Sequence, residues 1–362
     1  MVMKILVINT VPTDKNGITN VIINYLNAMG NDVAFDYVAI NNPNVFYVNF
    51  LKEKGATLYS FKRKNVLGYI WSLYKIIKQN NYDAIHVHGN SHTVVLELLA
   101  AKLAGCKVRI IHAHSTGCNS VALHKLLAGL FDSLCTDRLA CGEEAGKFMF
   151  GNKPLKIINN GVDVEKFSFD YKTREALRVK LALAENDILI GHVGYFMPVK
   201  NQSFLIDIFA ELAKNDSRYH LVLIGDGAMR TEIEQKVESL GLTNKVTFTG
   251  NIDNVSEFLN AIDIIIMPSL YEGLPLTLVE QQANGLQCVV SDTITAEADK
   301  TGNLRFLSLQ APILDWVHIV ENSHCMQNRE QRSKDAIVAI EKAGYSIRKE
   351  AKKLVEYYKK IC

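Results

Sequence analysis

Residues 269–292 read SLYEGLPLTLVEQQANGLQCVVSD, and the rest of the chain can be ordered around them. An apolar run, Ile262 to Met267, precedes this stretch and reads as a buried strand. Pro275 stands where the first helical turn should begin, since its fixed φ suits that position and its missing N–H costs nothing there. From Pro275 to Ala283 the residues are good helix formers, and Gly285 is placed to end the helix. Glu272, Gly273 and Leu274 then fall in a strand-to-helix turn, with Glu280 inside the helix. Unpaired N–H groups at a helix start, with the positive end of its dipole, favour a phosphate. One carboxylate in front of that anion site and one beside it can accept hydrogen bonds from sugar hydroxyls. This is chemistry for holding a nucleotide sugar.

Working outward, the strand–turn–helix pattern recurs on both sides. Lys4 to Asn9 reads as a strand, Asn16-Gly17 as a turn, and Thr19 to Ala28 as a helix with apolar residues at 21, 22, 23 and 26. Residues 33–40 and 57–61, Asp83 to His88, and Val108 to Ala113 are further strands. Helical segments at 121–134 and 143–150 follow, and 157–167 (IINNGVDVEKF) closes the first half. After a helix and connector over 170–187 the pattern restarts. Strands are expected at Asp187 to Val193, His220 to Ile224, Val246 to Thr249 and Cys288 to Ser291. Helices are expected at Ser203 to Ala213, Met229 to Leu240 and Val255 to Ala261, with 301–362 mainly helical. The fold class is α/β: two Rossmann-like doubly wound domains, 1–167 and 168–344, facing across a cleft.

The whole chain is consistent with this. Its 362 residues suggest two domains, and 48% hydrophobic with 22% charged residues is an ordinary globular composition. Seven cysteines (106, 118, 135, 141, 288, 325 and 362) show no metal-ligand spacing, which suits free thiols in a reducing cytoplasm. MVMKILVINT enters a strand directly rather than forming a secretory signal. No apolar run approaches the roughly 20 residues that span a bilayer. Net charge is +2, with 17 Lys+Arg against 12 Asp+Glu in residues 1–165. That is too weak a basic footprint for nucleic acid.

Two features of the first half carry chemistry. VRIIHAHSTG places His112, His114 and Ser115 at the carboxyl end of a strand, where ligands of open α/β sheets collect. A histidine pair can ligate a metal, but no acidic or cysteine partner accompanies this one, so no metal site is expected. His86, His88 and His92 form a weaker cluster able to line the same cleft. Between Lys52 and Lys78 lie seven Lys/Arg and one acid, Glu53, and NVLGYIWSLYKII adds Tyr69, Trp71 and Tyr74. Such a segment reads either as a core-packed helix with a basic edge or, over 62–78, as a peripheral membrane contact.

The EGLPLTLVE element, with its E-x7-E pair Glu272 and Glu280, resembles the retaining glycosyltransferases of family 4, which have the GT-B fold, and most closely their capsular and exopolysaccharide group. The resemblance covers some two dozen positions here. It implies that Glu272 grips donor-sugar hydroxyls, with Gly273 and Leu274 in the same turn, and that Glu280 holds the ribose. GHVGYFMPVKNQ resembles the family's phosphate loop, with Gly194 and with Lys200 neutralising the departing diphosphate. Tyr195 stands in place of the family's usual arginine. Gly225 and Gly250 match nucleotide-facing loops, and Gly17 is what remains of a two-glycine turn in which Asn16 replaces the first. A histidine at the strand end is functional in the family; His112 and His114 are both eligible, and His114, further out, is favoured. In GT-B enzymes a final helix often crosses back to the first domain, here over 345–362.

The reaction implied is transfer of a sugar, with retention, from a nucleoside-diphosphate sugar (a UDP-sugar by family weight) to an acceptor hydroxyl. The acceptor would be a lipid-linked glycan, at the inner face of the membrane. No convincing DxD motif is present, so no metal and no cofactor beyond the donor is expected. Two alternatives stand beside it: a catalytically degenerate GT-B partner protein that binds nucleotide sugar, motivated by Tyr195, and a sugar-nucleotide epimerase. EGLPLTLVE argues against both the epimerase and a phosphorylase, and a carboxylate-pair hydrolase is opposed by the need to flank one bond at set separations.

Overall fold

The computed structural model describes residues 2–14, 16–62, 65–323 and 328–362. Arg63, Lys64 and Cys325, which enter the sequence reading, lie outside them. Two all-parallel sheets form. The first contains β1 (Met3–Asn9), β2 (Val33–Ala39), β3 (Leu58–Ser60), β4 (Ala84–His88), β5 (Val108–Ala113), β6 (Asp137–Ala140) and β7 (Lys156–Ile157), in the order β3-β2-β1-β4-β5-β6-β7. The second contains β8 (Ile188–Val193), β9 (Tyr219–Ile224), β10 (Val246–Gly250), β11 (Ile264–Met267), β12 (Gln287–Ser291) and β13 (Leu304–Leu307), in the order β10-β9-β8-β11-β12-β13. Their strands are near-continuous apolar runs with both faces covered, as in β11, where Ile264, Ile265, Ile266 and Met267 are all fully buried. Strand order reverses between β1 and β4 and again between β8 and β11. Ligands bind outside the carboxyl ends of strands at such switch points.

The chain divides into two compact units, Met1–Gly161 with Ile347–Cys362, and Val162–Ser346. The division falls ahead of the expected 167 and returns near the expected 345. The last helix, Ile347–Ile361, belongs to the first unit, where it packs against the helix Gly17–Ala28. Tyr357 donates from its hydroxyl to Asp137 Oδ1 at 2.9 Å, and Glu350 Oε2 accepts from the Asn159 N–H at 3.2 Å.

Several local expectations are corrected. Asn16, standing where the resembling family has a glycine, is the N-cap of the first helix; its side chain accepts from Thr19 N–H at 3.0 Å, satisfying one of the helix's orphan donors. The expected helix over 121–134 is two, Val121–Leu126 and Ala128–Leu134. The strand expected from Ile262 begins at Ile264, because the Ile262 N–H closes the preceding helix on Phe258 O. Within 301–362, LRFL forms β13 and pairs with β12. The polar helix Tyr171–Lys180 is held by charge: Arg174 and Arg178 pair with buried Asp263 at 2.6 and 3.0 Å. The six cysteines among the described residues are free.

Candidate active site

The second unit's site grows from its switch point. Beyond β8, Gly194 leads into a loop that ends in the short 3-10 turn Pro198–Lys200. Beyond β11, residues 268–274 lead into the helix Leu276–Ala283. The two loops are tied together. Leu270 N–H donates to Val199 O at 2.7 Å, and Asn201 Nδ2 donates to Pro268 O at 3.1 Å. The Ser291 and Thr293 hydroxyls both donate to Ser269 O. This bracing brings Lys200 Nζ to 2.5 Å from Glu272 Oε1, with both side chains largely shielded from solvent. Such shielding strengthens the pair relative to a surface ion pair and fixes both heads in place.

Pro275 is the N-cap of the helix rather than its first residue, with ψ at 111°. The exit matches expectation. Gly285 follows the C-cap at φ +72°, and a Cβ there would lie 2.8 Å from both Arg329 O and Ser333 N. Glu280, within the helix, is half-buried, and desolvation pushes its carboxyl up to about 7, with Lys166 pulling the other way.

The glycine loops fit backbone on backbone. Gly194 N–H donates to Ile224 O at 2.9 Å, and Gly225 N–H donates to Gly250 O at 3.0 Å. Gly225, at φ +135°, approaches so closely that a Cβ would lie 2.1 Å from Gly194 O. Tyr195 is 56% exposed, while its carbonyl accepts from Gln202 Nε2 at 3.1 Å. Two residues here were missed by sequence reasoning. Arg230 pairs with Asp226 at 3.5 Å and Glu234 at 2.7 Å and brings its guanidinium close to Gly250. Its one sequence signal was the i,i+4 Arg230–Glu234 spacing. His192 is fully buried, its Nδ1 near Ile266 O and its Nε2 unpartnered on the side of Gly194 and Lys200. Burial holds it down to about 4, so it is neutral.

The first unit carries the histidine site. His88 pairs in register with His112 across β4 and β5. His114 N–H donates to Asn90 Oδ1 at 2.8 Å, and His114 Nδ1 donates to Asn160 Oδ1 at 3.1 Å. Desolvation holds His114 down to about 4, so the ring is neutral and its Nε2 is the acceptor for His88 Nδ1–H at 2.8 Å. His112 is turned into the core, with both ring nitrogens unpartnered. Of the two eligible histidines, His114 is thus the outer, hydrogen-bonded one. Ser115 accepts from Gly117 N–H in a local turn, and Gly17 opens the first helix with nothing within 4 Å of a Cβ position. His92 does not join the cluster. It stacks on His124 and hydrogen-bonds Met149 O. Asn160, read only as part of the segment that closes the first half, is the orienting partner that sequence reasoning passed over.

Residues 8–130 match the family Glycosyl transferase 4-like, and residues 173–299 match Glycosyl transferases group 1. The chain is 33% identical over 308 residues to the putative glycosyltransferase EpsF of Bacillus subtilis strain 168, covering 80% of this chain and 79% of that one. The chain belongs to the GT-B glycosyltransferases. This glycosyltransferase is also 34% identical over 239 residues to an Escherichia coli enzyme, UDP-Gal:alpha-D-GlcNAc-diphosphoundecaprenol alpha-1,3-galactosyltransferase, covering 61% of this chain and 60% of that one. Its fold matches the crystal structure of Anabaena Alr3699/HepE in complex with UDP. The TM-score is 0.80 at 18% identity, over 99% of this chain and 100% of that one. The doubly wound sheets are those of the GT-B fold.

Proposed function

We propose that this glycosyltransferase moves a sugar, with retention at the anomeric carbon, from a UDP-sugar to a hydroxyl of a lipid-linked glycan during assembly of a capsular or exopolysaccharide. The observation that carries this reading is the Lys200–Glu272 pair, 2.5 Å apart at the second unit's switch point and just before a helix N-terminus. The donor's diphosphate sits against the Lys200 ammonium and the first N–H groups of the helix Leu276–Ala283. As the glycosidic bond lengthens, negative charge grows on the leaving diphosphate, and a preorganised ammonium stabilises it more than it stabilises the bound ground state. Glu272, held in place by that same ammonium, accepts from donor-sugar hydroxyls, and Glu280 accepts from the ribose. His114, neutral and oriented by Asn160 and His88, is the first unit's proposed contribution to the reaction, a fixed ring that can bond a sugar hydroxyl. Neutralisation falls to Lys200 and the helix amides, with no metal required for this step.

The lipid-linked acceptor is supported by the E. coli relative's name, and polysaccharide assembly by the Staphylococcus aureus glycosyltransferase CapH, of capsular polysaccharide biosynthesis, which is 24% identical over 255 residues. Among the described residues no helix is long and apolar enough to cross a membrane. A peripheral contact is supported by the helix Val66–Asn80. Its Tyr69 is buried and bonded to Glu97, whereas Leu67, Trp71, Lys75 and Lys78 are exposed along one stripe.

A second reading, donor binding without transfer, draws on Tyr195, whose phenol brings no charge where the family has an arginine. The test is turnover: the purified chain is incubated with UDP-sugars and membrane-extracted acceptor, and the anomer of the product is read by NMR. An α-linked product from an α-donor supports the proposal. Donor binding without product supports the second reading.

A further inference from the structure

Four histidines crowd the carboxyl ends of β4 and β5, and the proposed transfer uses only the outermost. His86 and His88 lie on one face of β4 at i and i+2, and His112 lies beside them on β5. All three are at least 97% buried. Each offers a ring nitrogen within 4.8 Å of the others. No acid or cysteine stands beside His112 along the chain, but β4 supplies imidazoles instead.

The hydrogen-bond ledger of this cluster is incomplete. His86 Nε2 and both nitrogens of His112 are buried without a partner, and burying a polar atom unpaired is costly. By contrast, the Nδ1 atoms of His86 and His88 are both engaged. His86 Nδ1 meets the Tyr358 hydroxyl at 2.5 Å, and His88 Nδ1 donates to His114 at 2.8 Å. Metal-bound imidazoles commonly have this arrangement, one nitrogen's hydrogen held by an outer partner and the other nitrogen's lone pair left for the ion.

We propose that His86, His88 and His112 form a binding site for a divalent transition-metal ion of the zinc class. Three neutral imidazoles and no carboxylate suit Zn²⁺ or its neighbours in the first row and do not suit Mg²⁺ or Ca²⁺, which take oxygen ligands. Tetrahedral coordination at about 2.0–2.1 Å sets ligand nitrogens about 3.4 Å apart, so the rings, which stack with centroids 4.2 to 5.4 Å apart, turn out of the stack and close in on binding, and water completes the shell. The ion would fix the Nδ1–H of His88 toward His114. The site lies within the first unit and does not depend on how the donor is handled in the second.

The test uses the untagged full-length chain, stripped with a chelator and titrated with Zn²⁺ against a chromophoric competitor, and separately with Co²⁺ in visible light. One equivalent of Zn²⁺ and the strong absorption of tetrahedral Co²⁺ are expected. His112→Phe abolishes both, and Tyr358→Phe weakens binding about 10-fold or more. His318→Ala, at an exposed histidine elsewhere, changes neither. Circular dichroism checks the fold of each variant; if His112→Phe does not fold, Tyr358→Phe decides. Failure of the parent chain to compete for Zn²⁺, or unchanged binding in the folded variants, overturns the site.

Discussion

Lys200 places its ammonium nitrogen 2.5 Å from Glu272 Oε1, joining residues that leave the ends of different strands, β8 and β11. In the proposed reaction the ammonium has two tasks, positioning Glu272 and meeting the leaving diphosphate. Lys200→Ala removes both. A fall in kcat of about 10²–10³ is expected, the range seen when one preorganised donor to a developing oxyanion is lost. Initial rates at saturating UDP-sugar check it, with thermal melting to show that the fold is kept.

Glu280 gives a pH signature. Its carboxyl titrates at about 7, above the ordinary glutamate value, so the folded state favours its protonated form. Stability linked to this group is fully present below its ordinary value near 4.5 and is lost as pH rises through 7. Glu280→Gln should therefore raise the melting temperature of the ligand-free protein more at pH 8 than at pH 5. Donor affinity should move the opposite way in the parent chain, strengthening from pH 6 to pH 8 as this carboxylate, the proposed ribose acceptor, ionises. Calorimetry with a UDP-sugar at several pH values should find this trend flattened in the variant.

Tyr195 is exposed and free to be replaced without disturbing the core. Tyr195→Arg adds a cation one residue after Gly194, beside the proposed diphosphate site. An increase in kcat with little change in donor KM is expected, because the added charge acts on the leaving group. A parent chain that binds donor but turns none over, together with an active variant, would instead establish the degenerate reading.

Gly285→Ala tests the helix terminus. The substituent would take up a left-handed conformation and press on the backbone of Arg329 and Ser333. The left-handed backbone alone costs roughly 1–2 kcal/mol, and the crowding adds to it. An early shift in denaturant midpoint, read by fluorescence, is the expected result.

The exposed stripe of Leu67, Trp71, Lys75 and Lys78 should bind anionic vesicles. Trp71→Ser with Lys75→Ser should reduce co-sedimentation with phosphatidylglycerol vesicles, while donor binding in solution is unchanged. Equal sedimentation of parent and variant would remove the helix as the contact.

Much of this architecture was legible because period and punctuation agree: apolar strands, glycine turns and amphipathic helices alternate through both halves. Gly285 could be read as a helix stop because a positive φ there has a residue-specific signature. The strand at Leu304–Leu307 was not legible. Its arginine interrupts a short run whose identity comes from pairing with Val289 and Val290. Nor could spacing show that Lys200 meets Glu272, 72 residues away, or that Tyr69 turns inward while Trp71 faces water. Those are products of tertiary packing. The histidine cluster was half visible, since each strand's pair can be read, but their convergence depends on β4 lying beside β5.

In the proposed function the second unit holds a uridine nucleotide sugar through Lys200, the helix Leu276–Ala283 and Glu280. Isothermal calorimetry of the full-length chain with nucleoside diphosphates and their sugars, without added metal, tests it. Saturable binding of UDP or a UDP-sugar is expected, lost in Glu280→Ala and weakened in Lys200→Ala. Binding of no nucleotide, or binding that both variants retain in full, would contradict it.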